Sequence, residues 1–266
     1  MQTKRTLLFF ITAVLLSVPA FGQNDAELAK KLANPVASLI SVPFQANYDS
    51  NIGPDEEGSV WRINIQPVVP FKLNDNWNLI SRTILPIIDQ QDIPVAGSGE
   101  SGIGDIVQSF FFSPASPTSG GLIWGVGPVL LLPTASEAAL GGEKTGIGPT
   151  FVVLKQQGAL TLGALGNHIF SIGGEGDRAD INVTFLQPFA SYITKTRTTF
   201  SLSTETTYDW ENEAWAVPIM FNVAQLLKAG PQIFQVAAGA RYWAESPDGG
   251  PQNWGARLQL VLLFPK

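Results

Sequence analysis

Cysteine is absent from this chain of 266 residues, and histidine occurs once, at His168. Without thiols the chain forms no disulfide and offers no thiolate to a metal, and one imidazole is too few for a zinc cluster. Charged residues are also scarce, at 14%, beside 45% hydrophobic residues. Because an average soluble domain carries about 25% charged residues, this composition disfavours a free soluble protein and favours one with an apolar exterior.

Positive charge is the scarcer sign. The chain has 16 Lys and Arg against 22 Asp and Glu, a net charge of −6. No basic stripe with interleaved aromatic residues is present. Neutralising nucleic-acid phosphates requires clustered Lys and Arg. We therefore expect no nucleic-acid partner.

Residues 1–22 have the layout of a secretory signal peptide. Lys4 and Arg5 precede an apolar stretch over 7–16, and Ala20–Gly22 gives a small-x-small cleavage pattern. A membrane anchor is the alternative, but a spanning helix needs about 20 apolar residues and this run is shorter. Cleavage would remove two basic residues and change the net charge from −6 to −8. The sequence therefore predicts export to an oxidising compartment.

Residues 23–35 are predicted to form an N-terminal arm with a short helix. Leu28 and Leu32 share one helical face at i, i+4 spacing, and Pro35 ends the helix. Two interpretations are open for this arm. It is either a plug or lid on the periplasmic side of a barrel, or a solvated arm, and the small apolar face favours the solvated arm.

Residues 36–266 divide into strand-length apolar segments separated by Gly, Pro, Asn or Asp. In the last segment, Leu258, Leu260 and Leu262 alternate with Arg257 and Gln259. Such alternation over about ten residues is required of a strand that separates lipid from a barrel lumen. Other segments, such as 122–132, are apolar on both faces and predict a partly apolar or well-filled lumen. The prediction is an all-β fold, a closed antiparallel transmembrane β-barrel of about twelve strands with a short N-terminal helix.

Twelve segments fit this barrel. They lie near 36–48, 60–73, 76–88, 102–113, 120–133, 145–156, 160–171, 179–194, 197–208, 214–227, 231–243 and 253–264. An even count places both chain ends on the periplasmic side. The connections from odd to even strands would then lie outside the cell.

Prolines within these segments are the main objection to a barrel, because proline lacks the N–H that a ladder needs. Two explanations are open: several of these prolines mark bulges or strand ends near the rim, or they mark a wall bent to admit a side opening, and the first is favoured. The prolines concerned are Pro43, Pro67, Pro70, Pro86, Pro128, Pro149, Pro188 and Pro218.

Motifs along almost the whole mature chain resemble a known family. The opening segment 32–45 (LANPVASLISVPFQ) is the most distinctive, and 66–71 (QPVVPF) and 185–189 (FLQPF) continue the likeness. The chain resembles the phenol-degradation MetA-pathway family of outer-membrane transporters in Gram-negative bacteria, some of whose members carry a neuromedin U label. The resemblance implies an outer-membrane barrel that takes up small, often aromatic compounds, and it supplies no catalytic residues.

Charged residues within the apolar segments are the candidate solute-binding groups. An Arg or Lys facing lipid at mid-membrane costs about 2–4 kcal/mol, so these side chains are expected to face the lumen. There they form either a permeation path that selects small polar or anionic solutes or a structural network that plugs the barrel. The candidates, with the single histidine, are Arg62, Arg82, Asp105, Lys155, His168, Glu205, Arg241 and Arg257.

Tryptophan and tyrosine residues near the segment ends predict aromatic girdles at the two membrane interfaces rather than a stacking site for a sugar or base. These residues are Trp77, Trp124, Trp210, Trp215, Tyr242, Trp243 and Trp254.

Enzyme motifs are weak. Gly102-x-Gly104 lacks the third glycine and the following helix of a dinucleotide site. A membrane-embedded lipid hydrolase using His168 with Ser201 or Ser203 is imaginable, but no nucleophile-elbow context supports it. Acidic loops, including Asp49 and Asp55, lack the spacing of a calcium loop and are expected to be solvated tips.

The sequence therefore predicts an outer-membrane transporter or channel for small, possibly aromatic, solutes. It predicts no catalytic residue, cofactor or metal. The expected partners are outer-membrane lipid, the small-molecule solute and, during biogenesis, the outer-membrane assembly machinery. A structural barrel with a plugged lumen is the first alternative, and the lipid hydrolase is the last.

Overall fold

The computed structural model describes residues 23–265, so the predicted signal peptide lies outside the described residues. One α-helix and one turn of 3₁₀ helix accompany an all-β fold. Among these residues, no helix combines the length and the apolar character needed to cross a membrane.

Twelve strands follow the helix, three of them interrupted and written here as a and b segments. The elements are α1 (Gln23–Leu32), β1 (Ile40–Ile52), β2a (Gly58–Ile65), β2b (Val68–Lys72), β3 (Trp77–Gln91), β4a (Gly99–Ile103), β4b (Ile106–Pro114), β5 (Leu122–Leu132), the 3₁₀ turn (Ala138–Leu140), β6 (Lys144–Gln157), β7 (Leu160–Gly174), β8 (Asn182–Ile193), β9a (Thr198–Thr204), β9b (Thr206–Asp209), β10 (Ala214–Ala229), β11 (Gln232–Glu245) and β12 (Asn253–Phe264).

The strands form a closed antiparallel barrel. Each strand pairs with the next along the chain, and β12 pairs with β1 from Ile40↔Phe264 to Tyr48↔Ala256. The predicted fold class and strand number are thus confirmed. The end that carries Ile40 and Phe264 is here named the terminal end, and the opposite end the loop end. Turns at the terminal end are short, as at 158–159 and 230–231, whereas the loop end carries the long connection 133–143.

Alternating side chains explain the closure. On β12, Leu258 and Phe264 are exposed on the outer surface, whereas Arg257, Val261 and Leu263 are buried inside. Successive strand side chains point to opposite faces, so an apolar row meets the exterior and a mixed row fills the lumen. The predicted alternation of this strand is confirmed.

The three strand interruptions each lie opposite a proline of the neighbouring strand. A proline carbonyl accepts a bond from the residue at each break, but its nitrogen has no proton to return one. The bonds are Gln66 N to Pro43 O (2.8 Å), Gly104 N to Pro86 O (2.9 Å) and Glu205 N to Pro218 O (3.4 Å). The ladder fails at these positions and leaves Gln66, Asp105 and Glu205 outside regular strands.

Most prolines therefore do not mark rim bulges, and that prediction was wrong. Pro128 pairs directly with Pro149 inside the β5–β6 ladder, and Pro188 pairs with Ala164 inside β7–β8. Only Pro218 adjoins a register shift, and Pro67 lies in a break. Pairing resumes beyond each interruption, so the wall is continuous around the barrel.

Aromatic side chains form outer clusters at both ends. At the terminal end, Trp77 and Trp124 meet edge to face with ring centroids 5.8 Å apart. At the loop end, Tyr208 packs against both Trp210 and Trp215 at 4.7 and 4.6 Å. Aromatic clusters on the outer surface at both ends of a barrel are typical of girdles at membrane interfaces.

Trp243 is the exception to the girdle prediction. It follows the inward-facing Arg241 by two residues on β11, and its indole N–H donates to Asp49 Oδ1 at 2.9 Å. It belongs to the lumen, so its assignment to a girdle was wrong.

Candidate functional site: the barrel lumen

The N-terminal segment fills the terminal end of the lumen. Leu28 and Ala29 of α1 are buried, and with Ala37 and Leu39 they form an apolar cluster with the barrel wall. The wall residues of this cluster lie at the ends of β8, β10 and β12, namely Ile193, Leu226, Val261 and Leu263.

The connector after α1 reaches the opposite side of the wall. Val36 is 5% exposed and belongs to a second cluster. Its wall residues come from β3, β4b, β6 and β7, and they are Ile80, Phe111, Val152, Leu154 and Leu165. Residues 23–39 thus contact the inner wall around most of its circumference.

The arm is therefore not solvated, and the favoured interpretation of residues 23–35 was wrong. Leu28 was correctly placed on the apolar face, but the five buried residues of 23–39 contact wall positions distant in sequence. The alternative interpretation, a plug at the end that bears the termini, agrees with this packing.

At the loop end, the connection 133–143 folds against the inner wall. Leu140 is buried with Ile52, Val60 and Ile88 of β1, β2a and β3. Asp105, in the break of β4, accepts the backbone N–H of Ala135 at 3.1 Å and of Gly142 at 2.7 Å. Asp105 therefore anchors a loop over the mouth and is a structural residue rather than an open solute contact.

Charged residues outside this loop fasten it further. Arg178 donates to the carbonyls of Ala138 and Gly141 and pairs with Glu143 at 3.1 Å. Lys144 pairs with Asp180 at 3.2 Å. The bond from Lys144, with a second from Ser171, holds the pKa of the Asp180 carboxyl below its ordinary value.

Between the plug and the loop, the lumen is crossed by a belt of six charged residues. We name this the charged belt, and it consists of Asp49, Arg62, Arg82, Glu205, Arg241 and Arg257. Four arginines face two carboxylates, so the belt carries a net charge of +2. Five of these positions lie on β1, β2a, β3, β11 and β12, and Glu205 occupies the break in β9.

Asp49 and Arg241 form the most deeply buried pair of the belt. Their atoms Oδ2 and Nη1 are 2.9 Å apart, and the side chains are 1% and 6% exposed. The guanidinium also lies 5.2 Å from the ring centroid of Trp243. Asp49 was predicted to be a solvated loop tip, and the structure corrects this, because β1 extends to Ile52 and carries Asp49 inside the wall.

Glu205 and Arg257 form a second pair that spans two intervening strands. The contact is bidentate, at 3.0 and 2.9 Å, and Arg257 Nε also donates to Asn47 at 2.7 Å. A bidentate guanidinium–carboxylate pair is geometrically well defined. Gly239 of β11 pairs with Arg257 in the ladder, and a Cβ on it would collide with Asn222, so this glycine leaves room for the Asn222 side chain.

Arg62 and Arg82 are the unneutralised cations of the belt. Within residues 23–265 neither forms an ion pair. Arg82 donates to Gln66 Oε1 at 2.8 Å, and Gln66 lies in the break of β2. Arg62 pairs across the sheet with the inward-facing Asn47, yet it retains an exposed surface. These two arginines carry the excess positive charge.

Two cavities meet at the belt. A lower cavity of about 290 Å³ lies beside the plug, and an upper cavity of about 330 Å³ lies toward the loop end. Gln45, Gln66, Arg82 and Gln187 line both. Arg82 therefore stands at the junction of the two spaces.

Two candidate residues do not face the lumen. Lys155 is exposed on the outer surface near the terminal end, because Leu154 and Gln156 take the inward positions of β6. His168 also faces outward, where Nδ1 lies 2.9 Å from Thr184 Oγ1. Lys155 lies near the end of β6, where a long side chain reaches the membrane interface. The prediction that these two residues face the lumen was wrong.

The imagined Ser–His site is not assembled. Ser201 and Ser203 line the lower cavity inside the barrel, whereas His168 lies outside it. In the portion of the chain that the structure describes, no group of three or more His, Asp or Glu could hold a metal ion.

Comparison with known proteins supports the fold. The barrel is similar to the COG4313 outer membrane channel from Pseudomonas putida F1, with a TM-score of 0.66 and 14% identity, covering 85% of this chain and 96% of the channel. It is also similar to the outer membrane phospholipase of Salmonella typhi, with a TM-score of 0.51 and 9% identity over 90% and 98%. The NanC porin overlaps less well, at 0.49 and 14% identity over 85% and 100%.

No family model matches the sequence, and no curated protein matches it either. At 14% identity and below, the likeness to solved structures concerns the fold alone. The fold is that of outer-membrane barrels. The resemblance to the MetA-pathway family stays a prediction.

Proposed function

We propose that this protein is an outer-membrane channel that passes small anions and is closed at its periplasmic end by α1. The signal-like residues 1–22, the apolar exterior and the two aromatic bands support insertion of the barrel into that membrane. The short turns at the terminal end support a periplasmic position for both termini. Outer-membrane lipid and the assembly machinery are the partners that this location implies.

The net charge of the belt carries the proposal. Arg62 and Arg82 belong to the belt and have no ion-pair partners among the described residues, so they attract an entering anion. A low-dielectric wall focuses such a field. The paired groups, Asp49 with Arg241 and Glu205 with Arg257, hold the surrounding wall in place.

The plug makes a structural barrel the second candidate. Residues 23–39 contact most of the inner circumference at the terminal end, and such packing also suits a permanently closed lumen. Cavities on both sides of the belt favour the channel, because a purely structural core is packed without voids of this size.

Ion selectivity tests the proposal. The chain lacking 23–32 is reconstituted in planar bilayers under a salt gradient, so that the belt rather than the helix limits the current. We expect a reversal potential of the sign that indicates selectivity for anions over cations. Changing Arg62→Gln and Arg82→Gln together would bring the belt to zero net charge and move the reversal potential toward the non-selective value.

Lys155→Gln is the control, because it removes a positive charge from the outer surface and leaves the charge of the belt unchanged. It should leave the reversal potential unchanged. Cation selectivity in the parent barrel, or equal shifts in the lumen and control variants, would contradict the proposal.

A further inference from the structure

The upper cavity has two chemically different sides. Its floor, at the belt, presents Arg82, Gln66, Gln187 and Glu205. Its walls toward the loop end come from β3, β4b, β5, β7 and β8. They are mostly apolar and present Ile84, Val107, Leu131, Ile169, Val183 and Phe185, with Ser109 and Asn167 as polar residues among them.

The polar floor has unused capacity for an anion. Among the residues that the structure describes, Arg82 has one side-chain hydrogen-bond partner, the neutral Gln66 at 2.8 Å. A guanidinium has five donors in a planar fork that matches a carboxylate. Glu205 forms its bidentate ion pair with Arg257 and none with Arg82 among the described residues, so the Arg82 fork is not occupied by a carboxylate.

The apolar walls are unsuited to a bare inorganic ion. A hydrated ion loses favourable contacts with water beside aliphatic side chains, whereas an apolar body gains free energy in proportion to the apolar surface that it buries. A volume of about 330 Å³ falls at the lower end of ligand-pocket sizes. The space therefore suits a small organic molecule.

We infer that the upper cavity is a binding site for small organic monoanions with an apolar body, whose carboxylate is anchored by Arg82. This inference rests on the proposed channel function and names its solute class. The apolar body lies between Phe185 and the aliphatic walls, and the carboxylate points down toward the belt. Arg82, at the junction of both cavities, would then pass the anion to the lower cavity.

Calorimetric titration of the folded, detergent-solubilised chain 23–266 tests this directly. Hexanoate supplies both charge and apolar body, hexanamide supplies the body without charge, and acetate supplies charge with almost no body. We expect hexanoate to bind at least tenfold more tightly than either of the others. Arg82→Gln should weaken hexanoate at least tenfold and leave hexanamide unaffected.

Two further variants separate the anchor from the walls. Leu131→Asn should weaken hexanoate while leaving the barrel folded, and Lys155→Gln should change nothing because it lies outside. Equal affinities for hexanoate and acetate would contradict the claim that the apolar walls bind the body of the ligand. Full hexanoate affinity in Arg82→Gln would contradict the claim that Arg82 anchors the carboxylate. If Arg82→Gln fails to fold, Arg82→Lys, which keeps the charge but not the fork, should retain part of the affinity.

The two experiments distinguish a failure of the binding site from a failure of the channel proposal. Hexanoate binding in a barrel that carries no current would leave this site standing and remove the channel proposal. An anion-selective current without hexanoate binding would support the channel proposal and contradict this binding site.

Discussion

Gly255 makes room for the buried ion pair between its neighbours. It lies on β12 directly opposite Arg241 of β11, and a Cβ on it would fall 2.5 Å from Asp49 Oδ1 of β1. The absence of a side chain lets the Asp49 carboxylate reach across β12 to Arg241 at 2.9 Å. A glycine in a strand interior has a cost in stability, and here it is explained by this contact.

Gly255→Ala is therefore expected to destabilise the barrel. The added methyl group displaces Asp49 from Arg241, and overpacking of this kind costs about 1–3 kcal/mol. Urea unfolding in lipid vesicles measures the free energy. Gly173→Ala is the control, because its Cβ would meet no atom within 4 Å, and it should unfold as the parent does.

Asp49→Asn should cost more than the glycine change. Removing the carboxylate leaves Arg241, 6% exposed, as an unneutralised buried cation. Loss of one partner of a buried pair costs about 3–5 kcal/mol. The same unfolding measurement applies, with the exposed Asp55→Asn as control. Equal stability of the two variants would mean that the pair contributes nothing to folding.

The pair of Lys144 and Asp180 predicts a dependence of stability on pH at the loop end. Because the folded pKa of Asp180 is depressed, its stabilising effect is present above the unfolded pKa and is lost as the pH falls through the folded value. The difference in unfolding free energy between the parent and Asp180→Asn should therefore be greatest near neutral pH and vanish in acid. A difference that grows on acidification would contradict this assignment.

Much of the barrel could be predicted because its signals are local. Alternation on β12 separates Leu258 from Arg257 within a few residues, and turn residues mark the strand ends. The charge of Arg62, Arg82, Arg241 and Glu205 inside strand-like segments likewise indicated the lumen, since charge facing lipid is costly.

Other features depend on contacts between distant residues. Leu28 touches wall residues that follow it by more than 160 positions, and no local pattern reveals them. Asp49 resembled a loop residue because its strand continues through Asn51 and Ile52, past polar residues typical of a turn. Lys155 and His168 occupy outward positions in the alternation of side chains along β6 and β7. The sequence does not show which positions face outward there, because these Gly-rich segments are apolar on both faces.

The strand interruptions could be predicted only in part from the sequence. Each proline was visible in the sequence, but its effect falls on the neighbouring strand, at Gln66, Gly104 and Glu205. Only the register between strands connects the two. A search for a polar residue opposite a proline would have found Gln66 and Glu205 once the pairing was known.

Removal of α1 tests the central claim most directly. Single-channel conductance is recorded for the mature chain 23–266 and for a chain lacking 23–32, after both are shown to be folded by their heat-modifiable migration on gels. The account predicts small or rare currents in the mature chain and a larger, anion-selective conductance once the helix is removed. A folded barrel that stays silent without α1 would contradict it, and the lumen would then be a structural core.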